Sequence, residues 1–242
     1  MLRTQFSPLR YLTVSAIILF TALPTFADTE NQQIKLNYSV IWNGSNLGQI
    51  ETNITQEEDR FEIASVTKAE GMASIWLGGN LLQKCSFQTR DSMIFSNEFH
   101  STKKGKAGYS NTINYDWKSQ KITFNDDPAF DMPKGYIVDN CNFHFAAAYT
   151  AINKLKENSI YVMDGKKKRI RGYVFKSISE EQLTTPIGDF DTTKIVLERE
   201  LDPNKTFTFW ISPDKPYFPL KMMDQRKSGQ RIMLIQNLNP SS

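Results

Sequence analysis

Hydrophobic and polar positions alternate through most of this chain, from Ile34 almost to its end. The first stretch is the clearest, with hydrophobic side chains at Ile34, Leu36, Tyr38, Val40 and Trp42. A period of two places such residues on one face of a β-strand. A polar turn at residues 43–46 follows, and residues 48–54 can return as the antiparallel partner. The pattern therefore predicts a succession of hairpins with one dry face and one wet face.

A second series of alternating segments fills the C-terminal third of the chain. Turn sequences at residues 164–165, 186–189 and 227–229 separate these segments, and such sequences are typical of β-hairpins. The whole chain then holds about a dozen strands, which is more than a flat open sheet tolerates without curling. We therefore expect a mainly all-β fold, in which a curved antiparallel sheet forms a half-barrel or a barrel.

One segment departs from the period of two. Its hydrophobic residues recur at helical spacing, at Cys141, Phe145, Ala148, Ile152 and Leu155. Residues 139–140 precede this stripe as a plausible N-cap pair. The spacing predicts a helix of about four turns that lays its stripe on the sheet or plugs one end of it.

Residues 1–27 have the organisation of a secretory signal peptide. Arg3 and Arg10 precede a short apolar run, and the segment 25–27 offers a small-x-small cleavage site. The run is too short to span a bilayer comfortably, and no second run follows, so we expect no transmembrane segment in the mature chain. The sequence predicts a periplasmic protein in which residues 28–242 form a single β-rich domain.

The charge balance limits the partners of the mature chain. Removing residues 1–27 leaves 27 basic and 26 acidic side chains, because that segment holds two arginines and no acid. A protein so close to neutrality has no broad field for nucleic acid or for an anionic membrane. We therefore expect no nucleic-acid partner.

Cys85 and Cys141 are the only cysteines. Cys85 lies in a strand-like segment and Cys141 on the stripe of the predicted helix. An exported chain favours a disulfide, because its compartment lacks the cytosolic reductants. The bridge would then join sheet and helix. The alternative is two buried thiols that pack as small hydrophobic groups.

An apolar segment flanked by glycines lies between two predicted strands. Gly71 precedes it and residues 78–79 are both glycine. Its large side chains, which we predict as ligand-binding residues, are Met72, Ile75, Trp76, Leu77, Leu81 and Leu82. A mobile apolar flap at the mouth of a barrel has this composition, and barrel mouths are common ligand sites. Packing in the core is the alternative for each residue.

Candidate chemistry in the sequence is sparse. His100 and His144 are the only histidines and lack the close spacing of paired zinc ligands. No nucleophile motif is present, so we expect no enzymatic activity, no metal site and no cofactor. The strongest basic run, residues 166–169 with Arg171, has two interpretations. It grips a phosphate or lipopolysaccharide headgroup, or it guards an exposed strand against edge-to-edge pairing, and we favour the guard.

Several fragments together resemble the bacterial exported family called domain of unknown function 3108. Residues 36–48 resemble the family's opening strand and turn, and residues 185–191 its "TPxGxFD" hairpin. Residues 210–221 and Gly229 resemble its closing hairpin, which is also similar to the carrier proteins that shuttle lipoproteins across the periplasm. The family's helix usually opens with Asp-x-x-Ser; here Asp139 matches and Asn142 stands in place of the serine.

The resemblance to the carriers implies a curved antiparallel sheet over helices, with an apolar cavity for acyl chains. Together with the export signal and the apolar flap, it favours a non-enzymatic protein that binds a lipidic or other hydrophobic envelope component in a cleft. The alternative is a structural or interaction module that binds an envelope protein through a strand edge or an apolar patch.

Overall fold

The computed structural model describes residues 32–71, 74, 79–105, 108–214 and 216–241. Its helix α1 spans Phe143–Ile152. Its strands are β1 (Gln32–Trp42), β2 (Ser45–Glu57), β3 (Arg60–Ala69), β4 (Leu81–Arg90), β5 (Met93–Lys103), β6 (Tyr109–Asp116), β7 (Lys121–Phe124), β8 (Phe130–Asp131), β9 (Ile137–Asp139), β10 (Ser159–Asp164), β11 (Arg169–Thr185), β12 (Gly188–Arg199), β13 (Asp202–Ile211), β14 (Pro219–Arg226) and β15 (Gly229–Ser241). The predicted signal peptide, residues 1–27, lies outside the described residues.

All of these strands belong to one 15-stranded sheet. Its spatial order runs from β8 down to β1, then from β15 down to β9, so the first and last strands pair at its centre. Every pairing is antiparallel except the parallel contact between β9 and β10. Register shifts in several ladders, for example at Asn37/Tyr38 and Ser86/Phe87, bend the strands. The predicted curved, mainly antiparallel sheet is confirmed.

The curl brings the β9 end of the sheet against β5 and β6, although they are not neighbours in the ladder. The Tyr136 hydroxyl accepts a hydrogen bond from the Ile94 amide at 2.9 Å. On the β10–β11 turn, the Lys166 ammonium lies 4.8 Å from the centre of the Tyr109 ring. The sheet is therefore barrel-like, and side-chain contacts rather than a strand ladder hold its β9 end against β5 and β6.

Helix α1 lies inside the curl. Eight of its ten residues are buried, and it packs against β5, β9, β10 and β12. Phe145 is fully buried, with its ring centre 5.5 Å from Phe87 and 6.4 Å from Phe61. A helix that is buried on all sides needs no polar face. The structure therefore supports the plugging arrangement and not a single stripe laid on the sheet.

The predicted limits of the helix are wrong. It has about three turns rather than four, and Cys141 and Leu155 lie beyond its ends. The N-cap residue is Asn142, and no side chain caps the helix. Asp139 belongs to strand β9, where its pairing with Met163 holds it in the sheet. The helical spacing does mark a helix, but the pairing of β9 with β10 holds Asp139 in the sheet, so the helix begins later than predicted, at Phe143.

Cys85 and Cys141 form a disulfide with Cα atoms 6.2 Å apart. Cys85 faces inward from β4, beside the fully buried Phe87. Cys141 lies just before α1. The predicted bridge between sheet and helix segment is therefore present, and it ties the beginning of the enclosed helix to the wall.

Both edges of the sheet are short. The edge strands β8 and β9 contain two and three residues, and all three residues of β9 are buried. Short or covered edges offer little template for pairing with another chain. Among the described residues, no helix has the length and apolar character needed to cross a membrane.

Candidate functional site

The curled sheet encloses a cavity of about 740 Å³. The cavity occupies the end of the curl that carries the β1–β2, β10–β11 and β14–β15 turns, while α1 fills the opposite end. Of the helix, only Phe143 and His144 line the cavity. The volume lies within the range of about 300–1,000 Å³ that is typical of small-molecule sites.

Strands β1, β2 and β3 supply one apolar wall of the cavity. Alternation turns every second side chain inward, and the inward apolar groups there include Leu36, Tyr38, Val40, Ile50, Ile54 and Ile63. The Tyr38 hydroxyl donates a hydrogen bond to the Pro219 carbonyl at 2.9 Å, so this ring joins the wall of β1 to the beginning of β14. The wall is the dry face that the first alternating stretch predicted.

The facing wall is aromatic and sulfur-rich. Phe143 packs edge-on against Phe207 and Phe209, with ring centres 5.6 and 5.4 Å apart. Met222 and Met233, which are paired across β14 and β15, complete this side. Aromatic edges and flexible thioethers adapt to irregular apolar shapes. The two walls together can enclose a hydrophobic group.

Charged side chains gather at the open end of the cavity. Asp224 accepts hydrogen bonds from Arg226 and, at 3.1 Å, from Arg231. Asp164 accepts one from Arg171. Both carboxylates are nearly inaccessible, whereas the side chains of Arg226 and Arg231 are 43% and 41% exposed. These arginines therefore lie where the cavity meets solvent.

The first turn of α1 faces the cavity from the other side. The first hydrogen bond within the helix runs from the Ala146 amide to the Asn142 carbonyl at 3.0 Å, so the earlier amides of the turn have no partner within the helix. The His144 ring contacts the ring of Phe145, with centres 4.4 Å apart. Burial lowers the pKa of His144 to about 3, so its imidazole is neutral at ordinary pH.

A buried polar network fixes the beginning of α1. The side chain of Asn142 makes two of its bonds. Its Nδ2 donates to Ser96 Oγ at 2.8 Å, and its Oδ1 accepts from the Asp139 backbone amide at 3.0 Å. Asp139 Oδ1 accepts from the Cys141 amide at 2.9 Å. Asp139 Oδ2 and the Tyr115 hydroxyl are buried without a hydrogen-bond partner. Burial raises the pKa of Asp139 to about 7, so this carboxyl takes up a proton near neutral pH.

The disulfide and Asp139 are close together, with ligand atoms of Cys85, Cys141 and Asp139 all within 4.8 Å of one another. Cysteine binds metals as the thiolate, and in the disulfide neither sulfur is available in that form. This group of three residues is therefore structural, and it holds the first turn of the helix against β4.

The predicted ligand-binding residues divide into two groups. Met72, Ile75, Trp76 and Leu77 lie outside the described residues, so their role as a flap stays a prediction. Leu81 lines the cavity at the beginning of β4. Leu82 follows it on the strand and is not among the lining residues, because successive side chains point to opposite faces.

The sequence-based interpretation missed the charged residues of the cavity mouth. Asp224 and Arg226 continue the inward phase of β14 that Met222 occupies, and Arg231 precedes Met233 on the inward phase of β15. The signal was present: a charge stands where the alternation requires a hydrophobic residue. Arg171 does not guard a sheet edge as predicted, because its strand β11 is paired with β10 and β12 and its side chain lines the cavity.

His100 lies away from this cavity, on the outer face of β5. Its two ring nitrogens hydrogen-bond to Thr112 Oγ1 at 3.0 Å and to Thr102 Oγ1 at 2.8 Å. It borders a shallower outer groove of about 390 Å³ that Lys84 and Glu98 also line. The two histidines therefore belong to different surfaces of the sheet.

The fold and the cavity define a barrel-like β protein whose internal cavity has apolar walls and a charged mouth. Comparison with protein-family models matches residues 37–236 to the family described as protein of unknown function (DUF3108). The chain belongs to this family, and the resemblance to domain of unknown function 3108 that the sequence shows is confirmed.

Solved structures show the same architecture. Nine chains match, among them the crystal structure of a beta-barrel-like protein of domain of unknown function DUF1849 from Brucella abortus. That structure is 8% identical in sequence, with a TM-score of 0.54, and the match covers 88% of this chain and 98% of the other. The likeness is one of fold. No curated protein sequence matches the chain.

Proposed function

We propose that this protein is a non-catalytic periplasmic binding protein that holds a lipidic or other hydrophobic envelope component inside the curled sheet. The observation that carries the proposal is the cavity of about 740 Å³ between the apolar wall of β1–β3 and the aromatic side of β13. The free energy falls when an apolar guest replaces water in a hollow that apolar side chains line. The sequence of residues 1–27 supports export.

The alternative, an interaction module that uses a strand edge or an apolar patch, has less support. The edge strands are two and three residues long. Among the described residues, the exposed large hydrophobic side chains are Ile170, Ile178 and Leu201. The first two lie along β11 and the third in the β12–β13 turn. Scattered exposed hydrophobic residues are ordinary on protein surfaces and do not mark an interface.

The proposal is tested on protein purified from the periplasm of the producing bacterium. Native mass spectrometry without added ligand is expected to show a bound species, and organic extraction is expected to release it as an apolar or amphipathic molecule. Protein that carries no guest and also fails to bind decanol or decyl phosphate in titrations would contradict the proposal.

A cavity-filling substitution provides the second arm of the test. Gln83 lines the cavity from β4, while its neighbour Lys84 is exposed on the outer face. We expect Gln83→Trp to reduce decyl phosphate affinity at least about tenfold, because the indole occupies space that the guest needs. Isothermal titration calorimetry measures the change.

Lys84→Trp is the matched control, since it places the same ring on the same strand but outside the curl, in the outer groove. We expect its affinity to equal that of the natural protein. Equal affinities for all three proteins, or a loss confined to Lys84→Trp, would place binding elsewhere than in the enclosed cavity.

A further inference from the structure

The register of the strands directs the charged side chains at the cavity mouth inward. Arg171 on β11, Asp224 and Arg226 on β14, and Arg231 on β15 all line the same cavity as the apolar walls. Inward charges in a hydrophobic enclosure lose hydration, and they are retained at low cost only when they are paired. The carboxylates meet this requirement, because Asp164 and Asp224 each bind arginine.

The arginines are not matched in the same way. Among the residues that the structure describes, the cavity lining contains four cationic side chains, Lys166, Arg171, Arg226 and Arg231, and two carboxylates, Asp164 and Asp224. Arg226 and Arg231 share the single carboxylate of Asp224. Arg171 Nε is buried and has no hydrogen-bond partner. The mouth therefore carries an excess of positive charge and a buried donor that nothing satisfies.

The beginning of the enclosed helix also borders the cavity. The first turn of α1 has no side-chain cap, and the partial positive charge of a helix N-terminus is opposed by the adjacent Asp139 carboxyl when that group is ionised. His144, on the same turn, shows the cavity a neutral imidazole. The acidic groups among the described lining residues are Asp164 and Asp224, and arginines already bind both of them.

We infer that the guest of the cavity is an anionic amphiphile. Its phosphate or carboxylate group binds Arg226 and Arg231 at the mouth, where each guanidinium still has free N–H donors, and its apolar chain lies between the β1–β3 wall and Phe207 and Phe209. Guanidinium groups suit such anions because their planar donors match two oxygens at once. This inference rests on the proposed function and specifies the chemical class of the ligand.

The test compares three probes by calorimetry: decyl phosphate, decanol and inorganic phosphate. We expect decyl phosphate to bind at least about tenfold more tightly than decanol, the difference expected for charge-assisted hydrogen bonds. Arg231→Gln is expected to remove about that factor for decyl phosphate and to leave decanol binding unchanged. The variant is tolerated because Asp224 keeps Arg226 as its partner.

Lys35→Gln is the matched control, because it removes one positive charge from the outer face of β1, the strand beside β15. It is expected to bind all three probes as the natural protein does. Arg231→Lys is expected to restore part of the lost affinity, since it returns the charge without the planar donors.

The failures of the two proposals are distinguishable. Equal binding of decanol and decyl phosphate, with no effect of Arg231→Gln, overturns the anionic headgroup and leaves the hydrophobic binding protein in place. Inorganic phosphate that binds as tightly as decyl phosphate, and loses affinity in Arg231→Gln, overturns the amphiphile and makes the mouth a site for a free anion. No binding of decanol or decyl phosphate overturns both proposals.

Discussion

Reducing the disulfide between Cys85 and Cys141 is expected to lower the free energy of unfolding by about 4 kcal/mol, the value that chain entropy gives for a loop of this size. The two cysteines are 56 positions apart, so the bridge removes many conformations from the unfolded chain. It also holds the first turn of α1 against β4. Urea denaturation followed by circular dichroism, with and without a phosphine reductant, measures the difference.

The double variant Cys85→Ala/Cys141→Ala is the control for the reductant. The chain has no other cysteine, so the variant is expected to match the reduced natural protein and to ignore added reductant. An unfolding midpoint that is the same with and without the bridge would contradict this account of the helix tether.

Replacing Asp139 with asparagine is expected to stabilise the protein above neutral pH, although it alters a fully buried residue. Burial raises the pKa of Asp139 from 3.8 to about 7, so the folded state binds a proton more tightly than the unfolded state. The contribution of this bound proton to the free energy of unfolding is fully present below about pH 4 and is lost as the pH rises through about 7. At pH 8 we expect Asp139→Asn to be more stable by about 2–4 kcal/mol.

Denaturation curves at several pH values between 4 and 8 test this expectation. The opposite contribution of His144, whose folded-state pKa is lowered, is present in both proteins and cancels in their difference. Asp191→Asn, on the exposed face of β12, is the control and is expected to follow the natural protein. A difference between Asp139→Asn and the natural protein that does not grow between pH 4 and pH 8 would contradict the assignment.

The long strands were predictable because each is half buried. On β1, Leu36 and Tyr38 are buried while Lys35 is exposed, so one residue of register decides which side chains are dry. Strands β8 and β9 escaped prediction because two or three residues leave no room for alternation. Their existence depends on contacts with β7 and β10, which local sequence does not reveal.

The helix was predictable in kind but not in its limits or surroundings. Its spacing suggested one apolar stripe, yet Ala146, Ala147 and Ala148 are all fully buried. Alanine gives little sign of burial by itself, because it is common both inside proteins and on helix surfaces. These small residues let the helix fit inside the curled sheet. This fit depends on tertiary packing, which the local sequence does not reveal.

The candidate site was the least predictable part. The glycines at residues 71 and 78–79 predict an apolar flap. Of the ligand-binding residues predicted with it, Leu81 is the described one that lines the cavity. The charged mouth depends on residues far apart in the sequence, with Arg171 and Arg231 brought to one cavity by the order of the sheet. A charge on the dry phase of a strand is the signal that leads to such residues from sequence alone.

We propose that the curled sheet surrounds a hollow that takes an apolar guest. A crystal structure of the protein with decyl phosphate that carries a terminal bromine tests it most directly, because anomalous scattering locates the bromine without reference to the rest of the density. We expect the bromine peak between the β1–β3 wall and the rings of Phe207 and Phe209. A peak only in the outer groove beside Lys84, or a hollow already filled by the protein's own side chains, would contradict the account.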